Sequence, residues 1–125
     1  MTASVISKGT DIVSDAKGLA SLKVASEFGV DSYSNLRKSV INKYGKGSNL
    51  EVHHLIEKRF VKNTGINPNS MQSIVVTKEE HRLFTNQWRK EIPYGTKDLT
   101  RDQIMEVAKE IYKDYPEILK ALNIE

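Results

Sequence analysis

The segment from Glu51 to Lys90, which reads EVHHLIEKRFVKNTGINPNSMQSIVVTKEEHRLFTNQWRK, decides the fold. A short strand candidate over 50–52 leads into the histidine pair 53–54. Residues 61–70 are rich in Gly, Pro and Asn, which is typical of a loop. The β-branched run in 71–76 predicts a second strand, because such residues fit a pleated, buried surface. Together the two strands indicate a hairpin.

A capping box opens the helix that follows this hairpin. In Thr77-Lys78-Glu79-Glu80 the threonine oxygen accepts from the amide three residues on, while the glutamate returns to the threonine amide. His81, Phe84 and Trp88 then fall on one helical face. His81 therefore lies in the first turn of the helix, where its ring can reach the end of the hairpin.

Helical patterns flank this unit on both sides. Residues 10–28 have a weak helical pattern with one interrupting glycine, and Ser32 or Ser34 can cap a second helix. On the other side Thr100 opens a long helix with a capping box, and Pro116 restarts a final turn. We therefore expect one α+β domain over residues 1–125. Its parts would be a helical N-terminal part at 1–48, a hairpin-plus-helix core at 50–90 and C-terminal helices at 98–125.

The composition is typical of a globular protein and restricts the kinds of metal site. The 125 residues are 38% hydrophobic and 28% charged, and none is cysteine. Any metal must then be held by histidine and oxygen ligands. No apolar run approaches the roughly 20 residues of a membrane span, so none is expected. The first residues also lack the basic and apolar regions of a signal peptide.

Positive charge is concentrated around the histidine pair. Residues 33–63 hold seven Lys or Arg and two Glu, a balance of +5, whereas residues 102–125 hold three Lys and six acids, a balance of −3. A polyanion could dock on the basic region. The alternative is an ordinary solvated basic face, and charge alone does not decide between the two.

The three histidines of the chain, His53, His54 and His81, all belong to the hairpin-plus-helix unit. Neighbouring residues on a strand point to opposite sides, so the two adjacent imidazoles can have different tasks. One can bind a metal while the other, with an ordinary pKa of about 6.5, activates a water as general base. A divalent ion there would neutralise charge on a phosphate.

Residues 51–90 resemble the HNH, or His-Me finger (ββα-metal), nucleases. The string SIVVTKEEH at 73–81 is similar to the strand and helix of the nuclease domains of colicin-type bacteriocins. The surrounding sequence resembles toxin domains at the C-terminal ends of bacterial polymorphic or contact-dependent toxins. The resemblance is specific over 51–90 and looser over 33–122, and it implies a ββα-metal core with helices on both sides.

This resemblance implies roles for the histidines. His53 and His81 would bind the metal, and His54 would be the general base. Colicin-type sites have another histidine one helical turn after His81, where this chain has Thr85. The ion would then keep more water ligands, which favours Mg²⁺ or Mn²⁺ over Zn²⁺ or Ni²⁺.

The resemblance also implies supporting residues. Gln72 stands nine residues before His81, where the family typically has an Asn that holds the base, and Asn67 and Asn69 are alternatives. Glu51 could reach the metal or orient His53, or be an ordinary exposed strand residue. Four cations could hold phosphates, and Arg59 is the best placed to act near the cleaved bond. The four are Lys58, Arg59, Arg82 and Arg89.

The expected function is metal-dependent endonucleolytic hydrolysis of nucleic acid, with DNA favoured over RNA and little sequence preference. The resemblance implies secretion or delivery as part of a larger toxin, action in the cytoplasm of a target cell, and a cognate immunity protein as partner. Three alternatives remain open. They are a ribonuclease toxin with the same site, a metal-free ribonuclease whose histidines are acid and base, and a non-catalytic helical module that binds nucleic acid or a partner.

Overall fold

The computed structural model describes residues 18–125. The first half of the helix expected over 10–28 lies outside this range, and the second half is not a continuous helix. It consists of a 3-10 turn at Leu19–Ser21 and a one-turn helix α1 at Ala25–Phe28. Gly18 precedes them with φ 66° and ψ −178°, a conformation that ends any helical run and suits glycine. The expectation of one helix across 18–28 is therefore wrong.

Three short strands form an antiparallel sheet. They are β1 at Asp31–Ser32, β2 at Leu50–His54 and β3 at Gln72–Thr77, in the order β1-β3-β2. The predicted hairpin is confirmed as the β2–β3 pair, in which His53 lies opposite Ile74. The two-residue strand β1 adds a third member that the sequence did not predict. β2 is an edge strand, so its histidines lie at the border of the sheet.

Helices account for most of the remaining chain. Both predicted capping boxes are present, at Thr77 with Glu80 and at Thr100 with Gln103, and Ser32 caps the second helix by accepting from the Asn35 amide. The segment 61–70, expected as loop, also contains a helical turn and a 3-10 turn at Pro68–Ser70. The helices are α2 at Tyr33–Tyr44, α3 at Val61–Thr64, α4 at Lys78–Glu91, α5 at Arg101–Ile111 and α6 at Pro116–Leu122.

The sheet lies between two helical layers, as alternate β3 residues show. Val75 packs with Leu36 and Val40 of α2, whereas Ile74 and Val76 face a larger core. That larger core is built from α4, α5 and α6 and contains the fully buried Trp88, Ile104, Tyr112 and Ile118. The architecture is thus α+β, as expected, with a helical layer on each face of the sheet.

Two hydrogen bonds hold the beginning of the described chain against this core. The Gly18 amide donates to the Asp114 carbonyl at 2.8 Å, and the Leu19 amide donates to a carboxylate oxygen of Glu117 at 3.1 Å. The N-terminal turns are therefore held against the C-terminal helices. Between Gly18 and Glu125 no helix is long and apolar enough to cross a membrane.

Candidate metal and catalytic site

A small pocket of about 180 Å³ opens where β2 ends and α4 begins. It brings together all three histidines, although His54 is separated from His81 by 27 positions in the chain. Successive strand residues point to opposite faces, so His53 turns toward α4 while His54 turns toward α2. The pocket is lined by His53, His54, Glu57, Lys58, His81 and Thr85.

The ring of His53 is buried and contacts the side chains of Phe84 and Tyr112. It is only 2% exposed, and it stacks on Phe84 with 5.1 Å between ring centroids and 13° between the planes. Its Nε2 lies 2.8 Å from the hydroxyl of Tyr112. That hydroxyl gives its single hydrogen to the Leu55 carbonyl at 2.5 Å, so it can only accept from the histidine. His53 Nε2 therefore carries the hydrogen, and Nδ1 keeps a free lone pair.

Burial also fixes the charge of His53. Loss of solvation, with smaller contributions from His81 and His54, lowers the pKa of His53 to about 3. The imidazole is therefore neutral near pH 7, which is the form that binds a metal. Burial raises the pKa of Tyr112 far above its usual value, so its hydroxyl stays protonated. Trp88 donates its indole N–H to the same hydroxyl at 3.2 Å, which saturates it.

His81 is oriented by a carboxylate on the neighbouring strand. Its Nδ1 lies 2.6 Å from Oε1 of Glu51, which shares a face of β2 with His53. An ionised carboxylate only accepts, so Nδ1 carries the hydrogen and Nε2 is left free. Carboxylates commonly hold metal-binding histidines in this way. Glu51, for which the sequence left several roles open, thus orients His81 rather than His53.

His54 is oriented by backbone and by an aromatic ring. Its Nε2 donates to the Pro68 carbonyl at 3.2 Å, and its ring stacks on Tyr33 with 4.2 Å between centroids and 7° between planes. Nδ1 is left to accept a proton. Partial burial is the main cause that lowers the pKa of His54, so the neutral, basic form predominates near pH 7. Gln72, which the resemblance places beside this base, is exposed, and Pro68 makes the orienting contact instead.

The spacing of two histidine rings bears on metal binding. The centroids of His53 and His81 are 5.1 Å apart. Metal–nitrogen bonds of about 2.1 Å with near-tetrahedral or octahedral angles place two coordinated imidazoles about 5 Å apart. Within residues 18–125 no group of three or more His, Asp or Glu side chains is arranged to bind a metal. The separation of the two rings is therefore compatible with a shared ion that keeps several water ligands. Thr85 adds no third imidazole.

The four candidate cations are placed very differently. Lys58 is exposed and lines the pocket. The Arg59 side chain instead makes two internal hydrogen bonds. Its Nε donates to a Glu57 oxygen at 2.7 Å, and an Nη donates to the Ile92 carbonyl at 2.6 Å. Arg82 is exposed next to His81, and Arg89 donates to the Tyr94 hydroxyl near the far end of α4. Lys58, rather than Arg59, is the cation that the fold brings to the histidines.

Three orienting groups were missed in the sequence. Tyr112 directly follows α5, at a spacing typical of a core residue, and only packing reveals that its hydroxyl meets His53. Tyr33 comes to His54 from another element, and the Pro68 carbonyl belongs to backbone. None of these contacts has a local sequence signal. Buried polar groups nevertheless need partners, so the need for some partner at His53 could have been foreseen.

The low pKa of His53 predicts a stability that falls in acid. Between about pH 6.5 and pH 3, His53 is protonated in the unfolded chain but neutral in the folded chain. The free energy of unfolding therefore decreases as the pH falls from 6.5 toward 3. One such group contributes a slope of up to about 1.4 kcal/mol per pH unit. Urea unfolding in EDTA, between pH 6 and pH 4, should show this slope.

His53→Gln should flatten that slope by about 1 kcal/mol per pH unit, because the amide does not titrate. The control is Ile104→Val, which weakens the same core without removing a titrating group and should keep the slope. Equal slopes for wild type and His53→Gln would contradict the assignment.

The fold leaves one ring nitrogen free on each of the three histidines around a single pocket. The free nitrogens are Nδ1 of His53, Nδ1 of His54 and Nε2 of His81. A neutral imidazole nitrogen with a free lone pair can bind a metal ion or accept a proton. Comparisons of the chain with models of protein families, with curated proteins and with solved structures give no match.

Proposed function

We propose that this protein is a metal-dependent endonuclease that hydrolyses phosphodiester bonds in nucleic acid, DNA in preference to RNA and with little sequence preference. The observation that carries the proposal is the hydrogen bonding of the three histidines, which fixes each tautomer so that one nitrogen stays free. The order β2, β3, α4 with histidines at the strand end and in the first helical turn also supports a ββα-metal core.

In the proposed reaction His54 takes a proton from water at Nδ1. The oxygen of that water then forms a bond to phosphorus, and the bond between phosphorus and the leaving oxygen breaks. The leaving oxygen takes a proton from solvent and departs as an alcohol. The Pro68 carbonyl and the Tyr33 ring keep the base in place through this step. His53 and His81 would hold a divalent ion such as Mg²⁺ or Mn²⁺, which stabilises negative charge on the phosphate.

The remaining parts are assigned from their positions. Lys58, at the pocket, would bind a phosphate oxygen next to the cleaved bond, the role expected of Arg59 in the sequence analysis. Glu57 and Arg59 would act indirectly, since their ion pair holds the turn after β2 against the end of α4. Arg82 remains a candidate for a flanking phosphate, because it is exposed beside His81.

The biological setting of the proposal comes from the resemblance of residues 51–90 to toxin nucleases. The protein would be secreted or delivered as part of a larger toxin and would act in the cytoplasm of a target cell. A cognate immunity protein would protect the producing cell. The cluster of positive charge in residues 33–63 suits a polyanionic substrate.

Removing divalent ions tests the proposal directly. We expect nicking of supercoiled plasmid by the purified protein to fall at least about tenfold in EDTA and to return when Mn²⁺ or Mg²⁺ is added in excess. A ribonucleolytic assay with a labelled RNA should run in parallel, so that the preferred substrate is measured under the same conditions.

Plasmid nicking that survives EDTA would contradict the proposal, and RNA cleavage that survives EDTA would favour metal-free acid–base hydrolysis of RNA. His53 fits that alternative poorly, because its pKa of about 3 leaves the ring neutral near pH 7, without the second ring proton that a general acid gives up. Absence of cleavage of either substrate, with and without metal, would favour a non-catalytic binding module.

A further inference from the structure

A second, larger cleft of about 580 Å³ lies beside the histidine pocket. One wall is helix α2, the other is the start of α4, and the floor is the edge strand β2. The loop 45–49 also lines the cleft, and its Gly45 and Gly47 have positive φ and open space where a side chain would stand. Because neither glycine has a side chain, this part of the cleft stays open to a ligand.

The cleft is strongly basic. Arg37, Lys46 and Lys78 line it from three different elements, and all three side chains are exposed. Among residues 18–125, the only carboxylate in its lining is Glu51, which is engaged by His81. Cations from separate elements that converge on one concavity concentrate positive potential there. The ligand that this cleft favours is therefore an anion of some length rather than a single small ion.

The cleft is also continuous with the proposed catalytic groups. His81 lines both the cleft and the small pocket. Tyr33, at the cleft, stacks on His54 and accepts a hydrogen bond from Arg37 at 3.4 Å. A polymer that lies in the cleft thus passes the metal-binding histidine and the aromatic support of the base.

We propose that this cleft binds the backbone of one nucleic-acid strand on one side of the cleaved bond, with Arg37, Lys46 and Lys78 each holding a phosphate. The inference rests on the nuclease function proposed above and adds the path of its substrate. Pockets of about 300–1,000 Å³ take ligands of small-molecule size, which corresponds here to two nucleotides with the three phosphates that flank and join them. A cleft of about 580 Å³ therefore holds part of one strand and not the paired bases of a duplex.

The test is binding of a short fluorescent single strand in EDTA, measured by anisotropy from about 50 to 200 mM salt. The cleft variant combines Arg37→Gln, Lys46→Gln and Lys78→Gln. Each phosphate contact on a single strand contributes about 0.7 to the logarithmic salt slope, so loss of three lowers the slope by about 2. Over that salt range wild type should then lose about 20-fold more affinity than the variant.

The matched control removes three exposed cations that do not line the cleft, on helices α5 and α6. It combines Arg101→Gln, Lys109→Gln and Lys120→Gln, which changes net charge by the same amount. We expect this control to keep most of the salt slope, and we expect a duplex of the same sequence to respond little to the cleft substitutions. An unchanged slope in the cleft variant, or an equal loss in the control, would overturn the proposal, as would equal sensitivity of duplex binding.

Cleavage assays separate this inference from the nuclease function. If wild type cleaves a single strand and the cleft variant cleaves the same strand with the same KM, the cleft inference is wrong while the nuclease function stands. If the cleft substitutions abolish single-strand binding but wild type never cleaves, the cleft stands as a binding site and the nuclease function is wrong.

Discussion

Replacing His54 with alanine should lower the rate of phosphodiester cleavage by at least about 100-fold, the usual cost of removing a general base. The ring stands between the Pro68 carbonyl and Tyr33, and its Nδ1 has no other task in the described structure. Binding of DNA should remain near the wild-type value, because the cations around the site are untouched. Plasmid nicking and anisotropy on the same preparations measure the two quantities.

Gln72→Ala is the informative companion to that variant. The resemblance gives Gln72 the task of holding the base, whereas the structure gives that contact to the Pro68 carbonyl and leaves Gln72 exposed. We expect Gln72→Ala to change cleavage by less than about threefold. Cleavage by His54→Ala at the wild-type rate would end the case for His54, and a large loss in Gln72→Ala would return the orienting role to that residue.

Tyr112→Phe should lower the free energy of unfolding by about 2–4 kcal/mol. The hydroxyl accepts from His53 and Trp88 and donates to the Leu55 carbonyl, all inside the core. Its removal leaves these buried groups without a partner, and each costs about 1–3 kcal/mol before the structure relaxes. Urea denaturation at neutral pH measures the change.

The same substitution should weaken metal binding by about 10–100-fold, since loss of the group that holds a ligand histidine usually has this effect. Calorimetric titration with Mn²⁺ gives the affinity. Tyr115→Phe is the control, because it removes a half-buried hydroxyl three residues further along the chain and leaves His53 alone. Similar losses of stability and affinity in both variants would show that the Tyr112 hydroxyl has no special task.

The central unit was predictable because its signals are local. A capping box needs only residues 77–80, and the helix α4 begins where that signal places it. The strand β3 follows from a β-branched run, and the histidine pair stands at the end of its partner strand. Local chemistry also set the opposite directions of His53 and His54, since strand side chains alternate.

The errors lie where distant groups decide the outcome. Residues 18–28 have a weak helical pattern, but the turn at Gly18 and its bonds to Asp114 and Glu117 override it. Arg59 is near the base in sequence, yet its side chain bonds to Glu57 and to the Ile92 carbonyl. The contacts with Asp114, Glu117 and Ile92 join residues more than 30 positions apart in the chain, so no window of sequence contains them.

By itself the sequence determined the α+β hairpin-plus-helix unit and the presence of all three histidines within it. Only the tertiary structure decided which nitrogen of each ring is free. That choice depends on Tyr112, Glu51 and the Pro68 carbonyl, which reach the rings from separate parts of the fold. Each of these three oxygens can only accept a hydrogen from its histidine, so each histidine has a single tautomer. Folding brings the oxygens within hydrogen-bond distance of the rings.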